Sequence, residues 1–391
     1  MRYLLIPILI ISLNYSVLSQ KIATGASRTS DYLHLLKNKK VALVANATSM
    51  VGNRHLVDTL VSSGVKVSLI FGPEHGFRGN ADAGEKIENS IDKVTGIKVV
   101  SLYGKHSKPT RTDLAGIDVV VFDIQDVGVR FYTYISTMHY VMEACAEDSI
   151  PFIVFDRPNP NGYYVDGPVL DLKFTSFVGM HPVALVHGMT VGEYARMING
   201  EGWLAGGKKV QLTVISCKGY THSSRYELPV KPSPNLPNAR SIELYPSLGF
   251  TEGTVMSCGR GTDFPFQVIG HPAFTATGFT FTPRSIPGAS KTPPLMGQSC
   301  NAIDLRTNSS YPDYIPGKVN ISLIIKAFKG TKLGTDEQFF NQFFNKLAGN
   351  DILQNQIKSG IPESEIRKSW QPALDTFKSI RKKHLLYDDF K

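Results

Sequence analysis

The feature that most constrains the fold of this chain is a series of short apolar runs separated by polar or helical segments. The runs cover residues 41–45, 65–71, 98–103, 118–123, 151–156 and 210–217. Strands that stay apolar on both faces are typical of a parallel sheet that helices cover on either side. We therefore predict an α/β fold built on a doubly wound, mostly parallel sheet.

Helical signals occupy two of the intervening segments. Apolar residues recur at helical spacing from Ile135 to Cys145, which also makes Cys145 a candidate buried thiol. Thr190 and Glu193 have the spacing of a capping box, so a second helix is expected from there through Trp203. No Gly-x-Gly-x-x-Gly sequence follows the first run, so we expect a Rossmann-like domain that does not bind a dinucleotide.

The alternation stops near Lys231, where a loop-rich stretch with several prolines begins. Residues 319–348 then look helical, because apolar residues cluster there at helical spacing. We predict a Rossmann-like domain over residues 20–230 and a smaller α+β domain over residues 231–391.

The first 19 residues place one basic residue, Arg2, before a short apolar run and a plausible cleavage signal. This layout predicts a secretory signal peptide and export to the periplasm or the extracellular space. No later run reaches the roughly 18 apolar residues of a membrane span, so stable membrane insertion is not expected. The net charge of +9 is scattered along the chain, without the Lys/Arg stripe of a nucleic-acid binder.

The loop that follows the second run reads FGPEHGFRG and carries Glu74, His75 and Arg78. In open α/β sheets, ligands bind in the crevice beyond the carboxyl ends of the strands. A carboxylic acid and an imidazole in that position are typical acid–base groups. The alternative is that Glu74 only pairs with Arg78 in a structural ion pair.

Two further strand ends carry polar residues of the same kind. The fourth run leads into Asp123, Asp126 and Arg130, with Tyr132 close behind, and the fifth ends in Asp156 and Arg157. If the sheet is parallel, all three clusters meet at one edge, which favours a shared site. The alternatives are that Asp123 and Asp126 cap a helix or pair with Arg130, and that Asp156 anchors the loop of Arg157.

The second domain contributes polar loops that are punctuated by glycine and proline. They contain Asn235, the segment 252–254 that begins with Glu252, and Arg260 and Asp263. Rigid loops of this composition suit binding, and Arg260 could clamp a carboxylate through two hydrogen bonds. The alternative for Arg260 is a salt bridge that closes the domain interface.

Other enzyme templates fit the sequence poorly. It has no Gly-x-Ser-x-Gly elbow, no His-Glu-x-x-His, no Walker loop and no Cys-x-x-Cys. Hydrolysis driven by carboxylates remains, with glycoside cleavage as its leading exported form and no metal or other cofactor required. Two alternatives stay open: a sugar-binding protein without activity, and a metal-dependent hydrolase that uses Asp123, Asp126 and His75.

Six motifs, in this order, resemble the NamZ (YbbC-like) family of exo-β-N-acetylmuramidases. They read GPEHGFRG, DIQDVGVRFYTYISTM, DRPNPNG, VHGMTVGEYARMINGEGWL, PSPNLP and EGTVMSCGRGTDFPFQVIGHP. The resemblance implies an active site in the cleft between the two domains. It also implies release of N-acetylmuramic acid from the non-reducing ends of peptidoglycan fragments, with Glu74 as the key glutamate.

On this reading Glu74 is the general acid, and Asp123 or Asp126 is the candidate second carboxylate. The substrate, a muramic acid–glucosamine saccharide, differs from plain glucosamine by a lactyl carboxylate, and Arg130, Arg157 and Arg260 are candidates to bind it. Tyr132 and Tyr134 could stack on the sugar. The other expected substrate-binding residues are His75, Arg78, Asp156, Asn235 and Asp263.

Overall fold

The computed structural model describes residues 22–78, 89–104, 106–275, 278–334 and 338–390. Its centre is a seven-stranded sheet in the order β11-β8-β7-β1-β4-β6-β5, in which every pairing is parallel except that of β5 with β6. The strands of this sheet are β1 (Lys40–Ala45), β4 (Lys66–Gly72), β5 (Ser90–Ile91), β6 (Lys98–Ser101), β7 (Val119–Asp123), β8 (Phe152–Phe155) and β11 (Leu212–Ile215). The mostly parallel α/β sheet predicted from the apolar runs is confirmed.

Short strands outside this sheet complete the β-structure. Two hairpin-like pairs join β2 (Met50–Val51) to β3 (Arg54–His55) and β9 (Asp166–Val169) to β10 (Ala184–Val186). A separate antiparallel sheet has the order β12-β14-β13, from Val268–His271, Cys300–Asp304 and Thr280–Phe281.

Ten α-helices lie in the described part of the chain. They are α1 (Thr29–Leu36), α2 (Leu56–Ser62), α3 (Arg111–Leu114), α4 (Tyr134–Glu147), α5 (Val191–Gly200), α6 (Ala239–Leu248), α7 (Ser322–Gly330), α8 (Phe343–Ala348), α9 (Ile352–Lys358) and α10 (Glu363–Arg381).

The main sheet is buried on both faces because its strands alternate between two apolar layers. In β1, Val41 and Leu43 pack with α1 and α2, whereas Ala42 and Val44 belong to the layer that contains α4 and α5. Side chains that point alternately to opposite faces therefore all find an apolar partner. This explains why the strands read as continuous apolar runs.

The chain reverses its direction across the sheet at β1. From β1 it winds outward through β4 and β6 on one side, and then through β7, β8 and β11 on the other. Such a reversal opens a crevice at the carboxyl edge of the sheet, where doubly wound proteins bind their ligands. The loops after β4, β6 and β7 all emerge at this edge.

The predicted helices are present, with two differences. The capping box of Thr190 and Glu193 starts α5, but the helix ends at Gly200 and does not reach Trp203. The segment 319–348 forms two helices, α7 and α8. Helix α7 ends at Gly330 because the chain there forms hydrogen bonds with residues 273–275 and does not continue the helix.

The C-terminal segment, residues 385–390, folds back onto the Rossmann-like part. Leu386 donates its N–H to Glu193 at 2.8 Å, and the Tyr387 hydroxyl donates to Asp156 at 2.5 Å. Both acceptors are fully buried. The C-terminal segment thus completes a polar network of the Rossmann-like part.

The signal peptide and the division into two domains remain predictions. The proposed signal peptide, residues 1–19, lies outside the described residues, and the division at residues 230 and 231 stays a prediction. Among the described residues, no helix is both long and apolar enough to cross a bilayer. The four cysteines are buried and unpaired in the structure, which confirms the buried thiol expected at Cys145.

Candidate active site

A pocket of about 250 Å³ lies at the carboxyl edge of the main sheet, between the Rossmann-like part and the loops that follow it. Residues from the ends of β4, β6 and β7 form one side, and residues from the loops around α6 and β12 form the other. It is lined by Glu74, His75, Tyr103, Phe131, Tyr132, Thr133, Tyr134, Phe177, Val178, Ser233, Asn235, Leu236, Tyr245, Glu252, Arg260, Phe266 and Phe343.

Glu74 reaches the pocket because the chain turns sharply after β4. The strand ends at Gly72, and the N–H of Gly76 closes a turn onto the carbonyl of Pro73 at 2.9 Å. Within this turn His75 has a φ of 68°, in the left-handed region that non-glycine residues seldom adopt. Such a conformation costs about 1–2 kcal/mol, and backbone strain of this kind clusters at functional sites.

The carboxylate of Glu74 is half-buried and lies among hydroxyl groups. Thr133 donates its hydroxyl to Oε2 at 3.3 Å, and Tyr103 hydrogen bonds the same carboxylate. Burial and then the charge of Glu74 raise the pKa of both Tyr103 and Tyr134, so both phenols stay protonated. The site therefore holds Glu74 between donors.

The Glu74 loop is in contact with the proline-rich loop of the second half. The His75 ring lies 3.5 Å from the Ser233 hydroxyl, which also accepts the N–H of Asn235. The Tyr132 hydroxyl donates to the carbonyl of Pro232 at 2.7 Å. These contacts fix the two walls of the pocket relative to each other.

The far wall carries an ion pair, Glu252 with Arg260. Nε and Nη2 of Arg260 both donate to Oε1 of Glu252, at 2.9 and 2.8 Å. Burial lowers the pKa of Arg260, but Glu252, together with Cys258 and Tyr245, raises it by more, so the guanidinium is a cation. Glu252 lies on the turn after α6. This turn packs closely against the Phe131 ring because Gly249 has no side chain, and a Cβ at that position would lie 2.4 Å from the ring.

Asp123 and Arg157, both expected in the site, pair with each other beneath it. Nε and Nη2 of Arg157 donate to the two carboxylate oxygens of Asp123 at 2.6 and 2.8 Å. Asp123 is fully buried, and neither residue lines the pocket. The structure thus places both in a buried ion pair whose hydrogen bonds occupy the Asp123 carboxylate.

Asp126 and Arg130 likewise lie away from the pocket lining. Asp126 accepts the N–H of Gly128 at 2.6 Å and lies 3.7 Å from the His187 ring. Arg130 is fully buried and donates to four carbonyl groups, those of Pro168, Val183, Leu347 and Ala348. Arg130 thereby ties β9 and β10 to the end of α8.

Asp156 anchors the start of α5. Its oxygens accept the Thr190 hydroxyl at 2.7 Å, the N–H of Gly192 at 2.8 Å and the Tyr387 hydroxyl at 2.5 Å. Burial raises the pKa of Asp156 to about 6 despite these donors. A raised carboxyl pKa is often a sign of catalysis, but this carboxyl is outside the pocket lining.

Two other expected residues, Arg78 and Asp263, have partners elsewhere. Arg78 donates to both oxygens of Asp92, at 2.7 and 2.9 Å. Asp263 is 82% exposed and pairs with Arg284 on the surface. Of the sequence-predicted site residues, the pocket brings together Glu74, His75, Tyr132, Tyr134, Asn235 and Arg260.

Several lining residues were not among the predicted site residues. Tyr103 follows β6 and could have been included as another strand-end residue, and Glu252 lies in a loop that the sequence had already marked. The aromatic walls carry no local signal, because their positions depend on packing between distant segments. These walls include Phe131, Phe177, Tyr245, Phe266 and Phe343.

The residues grouped under the metal-dependent alternative do not form one cluster. Asp123 is bound to Arg157, Asp126 to the backbone of Gly128, and His75 contacts Ser233. Within the described ranges, no three His, Cys, Asp or Glu side chains come together as a metal site would require.

Comparisons with known proteins cover nearly the whole chain. Residues 41–240 match the family model described as exo-β-N-acetylmuramidase NamZ, N-terminal, and residues 243–387 match its C-terminal counterpart. The peptidoglycan β-N-acetylmuramidase NamZ of Bacillus subtilis (strain 168) is 39% identical over 394 residues, with 96% of this chain and 94% of that protein covered.

Two crystal structures of DUF1343 family proteins from Bacteroides fragilis have the same fold. One is 45% identical with a TM-score of 0.85, and the other is 27% identical with a TM-score of 0.73. Both comparisons cover 94% of this chain and 99% of the solved one. With its six motifs, its doubly wound sheet and matches along both halves, the chain belongs to the NamZ family of exo-β-N-acetylmuramidases.

Proposed function

We propose that this protein is a glycoside hydrolase that releases N-acetylmuramic acid from the non-reducing ends of peptidoglycan fragments. The observation that carries the proposal is the position of Glu74, on a strained turn at the carboxyl edge of the sheet, in a pocket with aromatic walls. Membership of the family supports the same activity.

The chemistry uses Glu74 as the general acid. Cleavage breaks the bond between the anomeric carbon of the muramic acid residue and the leaving oxygen, and Glu74 gives that oxygen its proton. Water supplies the hydroxyl group that ends on the anomeric carbon, and its remaining proton restores the acid. The donors around Glu74, Thr133 and Tyr103, hold the carboxyl group in place during this exchange.

The dimensions and walls of the pocket suit one terminal sugar. A cavity of about 250 Å³ is slightly below the roughly 300–1,000 Å³ of sites for drug-sized ligands. Aromatic rings such as Tyr132, Tyr245 and Phe266 offer apolar surface to the faces of a pyranose ring. Both properties support removal of single residues from a chain end.

We also propose that the protein is exported and acts in the turnover and recycling of the cell wall. The support is the sequence of residues 1–19, in which a basic residue precedes a short apolar run. N-terminal sequencing of protein recovered from the envelope or the medium tests this. A mature chain that begins at Met1 in the cytoplasm would contradict it.

The activity is tested by product analysis on a defined disaccharide of N-acetylmuramic acid and N-acetylglucosamine. The wild type should release both monosaccharides. Glu74→Gln should lower kcat by about 10²- to 10⁴-fold, the usual contribution of a general acid, with an unchanged melting temperature. Turnover near that of the wild type in the folded variant would exclude Glu74 as the acid.

Asp263→Asn is a suitable matched control for this experiment. It also converts a carboxylate to an amide, but on an exposed side chain that pairs with Arg284 outside the pocket. It should keep full activity. Calorimetric binding of the disaccharide by the wild type without any product would favour the alternative of a sugar-binding protein.

A further inference from the structure

The three arginines considered for the lactyl carboxylate differ in what their guanidinium groups already bind. Arg130 donates hydrogen bonds to four backbone carbonyls, and Arg157 forms an ion pair with Asp123. Neither lines the pocket, whereas Arg260 does, with 19% of its side chain exposed. Arg260 is thus the one of the three that a sugar in the pocket could reach.

The ion pair with Glu252 uses one edge of the Arg260 guanidinium and leaves another. A guanidinium carries five N–H groups in a fixed plane. Nε and Nη2 form the side-on edge and both donate to Oε1 of Glu252. Among the described residues no acceptor is bonded to Nη1, so the end-on edge of Nη1 and Nη2 retains its donors.

The plane of this guanidinium is fixed from a second direction. Its central carbon lies 5.1 Å from the centre of the Phe266 ring, which also lines the pocket. A cation held between an aromatic ring and a carboxylate loses little further freedom when it binds a second carboxylate. Glu252 is therefore a positioning residue for Arg260.

We propose that the end-on edge of Arg260 binds the lactyl carboxylate and makes the pocket selective for muramic acid over plain N-acetylglucosamine. This inference rests on the proposed function. The two-pronged arrangement matches the spacing of carboxylate oxygens, which a lysine ammonium does not. Glu74 and Arg260 then contact two different parts of one sugar. Glu74 contacts its glycosidic oxygen, and Arg260 contacts its lactyl group.

The test compares two substrates that differ only in the lactyl group, which is charged in one and carries an uncharged methyl ester in the other. They are an aryl β-N-acetylmuramide and the same compound with its lactyl group as the methyl ester. The wild type should prefer the acid. Arg260→Gln should lower kcat/KM for the acid by about 10- to 100-fold, as expected for a hydrogen bond to a charged group. The ester should be cleaved by both proteins at similar rates.

Arg260→Lys and Arg284→Gln complete the set. The lysine keeps the charge without the fork, so its loss on the acid should be smaller than that of Arg260→Gln. Arg284 is an exposed arginine paired with Asp263, and its removal should leave both rates unchanged. If Arg260→Gln unfolds, Arg260→Lys with both substrates decides the question through the acid-to-ester ratio.

The outcomes separate the two proposals. An Arg260→Gln protein that loses acid and ester turnover equally, or loses neither, overturns the role of Arg260 while leaving the muramidase intact. A wild type that cleaves neither compound nor the natural disaccharide overturns the proposed function and this inference together. Inhibition by free N-acetylmuramic acid, weakened in Arg260→Gln, gives a second readout that does not depend on turnover.

Discussion

Glu74 and Asp123 both lie at the carboxyl edge of the main sheet, and their surroundings differ sharply. Glu74 lines a pocket with hydroxyl donors and aromatic rings around it. Asp123 is fully buried, with both oxygens on Arg157. A carboxylate at the same edge can thus serve chemistry or hold the fold together, and the partner that reaches it decides which.

The largest effect on the unfolding free energy is expected when the buried ion pair of Asp123 and Arg157 is broken. Asp123→Ala leaves the Arg157 cation buried without its counter-ion, which typically costs about 3–5 kcal/mol of unfolding free energy. Urea unfolding of the variant and the wild type measures this cost. Turnover per folded molecule should change far less than in Glu74→Gln.

A double variant tests whether the lost stability is due to the unpaired charge. Asp123→Leu combined with Arg157→Met removes both charges and should recover most of the lost stability, because a well-packed apolar pair can replace a buried ion pair. If Asp123→Ala instead kept its stability and lost turnover, Asp123 would belong with Glu74 in the chemistry and the contrast would fail.

A second effect concerns the pH dependence that Asp156 gives to stability. Its pKa is raised by burial to about 6, from 3.8 in the unfolded chain. A raised carboxyl pKa stabilises the fold below about pH 4, and this contribution is lost as the pH rises through about 6. At 1.36 kcal/mol per pKa unit, the loss is about 3 kcal/mol.

Asp156→Asn isolates this contribution, because asparagine does not titrate. Between pH 4 and pH 7 the unfolding free energy of the wild type should fall by about 2 kcal/mol relative to the variant, because part of the full loss occurs below pH 4. Urea unfolding of both proteins at each pH gives the difference, in which other titrating groups cancel. A constant difference across this range would show that Asp156 is not the source.

The smallest effect is expected at Tyr103, which hydrogen bonds Glu74. Tyr103→Phe should reduce kcat by about 10-fold, since one hydrogen bond to a charged group is worth at least about 1.5 kcal/mol. KM and the melting temperature should stay close to wild-type values, because the ring itself is kept.

Tyr311→Phe removes a hydroxyl that lies outside the pocket lining and contacts Lys326, so it serves as the matched control. A rise in KM with unchanged kcat in Tyr103→Phe would mean that Tyr103 binds substrate and does not position Glu74.

Most of the fold could be predicted from the sequence because its strands are buried on both faces. Each apolar run became a strand of the main sheet, and the capping box of Thr190 and Glu193 begins α5. The break between α7 and α8 escaped prediction, because residues after Gly330 bond to a distant segment near Phe274.

The site could be predicted only in part, for a related reason. Glu74 was identified from the sequence of its own loop. The residues that hydrogen bond Asp123 and Asp156 outside the pocket are distant from them in the sequence. Arg157 is 34 residues from Asp123, and Tyr387 is 231 residues from Asp156. Local spacing shows which polar residues end a strand, but it does not show which of them will be hydrogen bonded by a side chain from a distant part of the sequence.

The C-terminal segment has a consequence for how the protein is made. Leu386 and Tyr387 supply hydrogen bonds to Glu193 and Asp156, two buried acids of the Rossmann-like part. Domains usually fold from the N-terminus as the ribosome releases them. Here the Rossmann-like part keeps that network incomplete until residue 387 has left the exit tunnel, so its final packing must follow the synthesis of the C-terminal half.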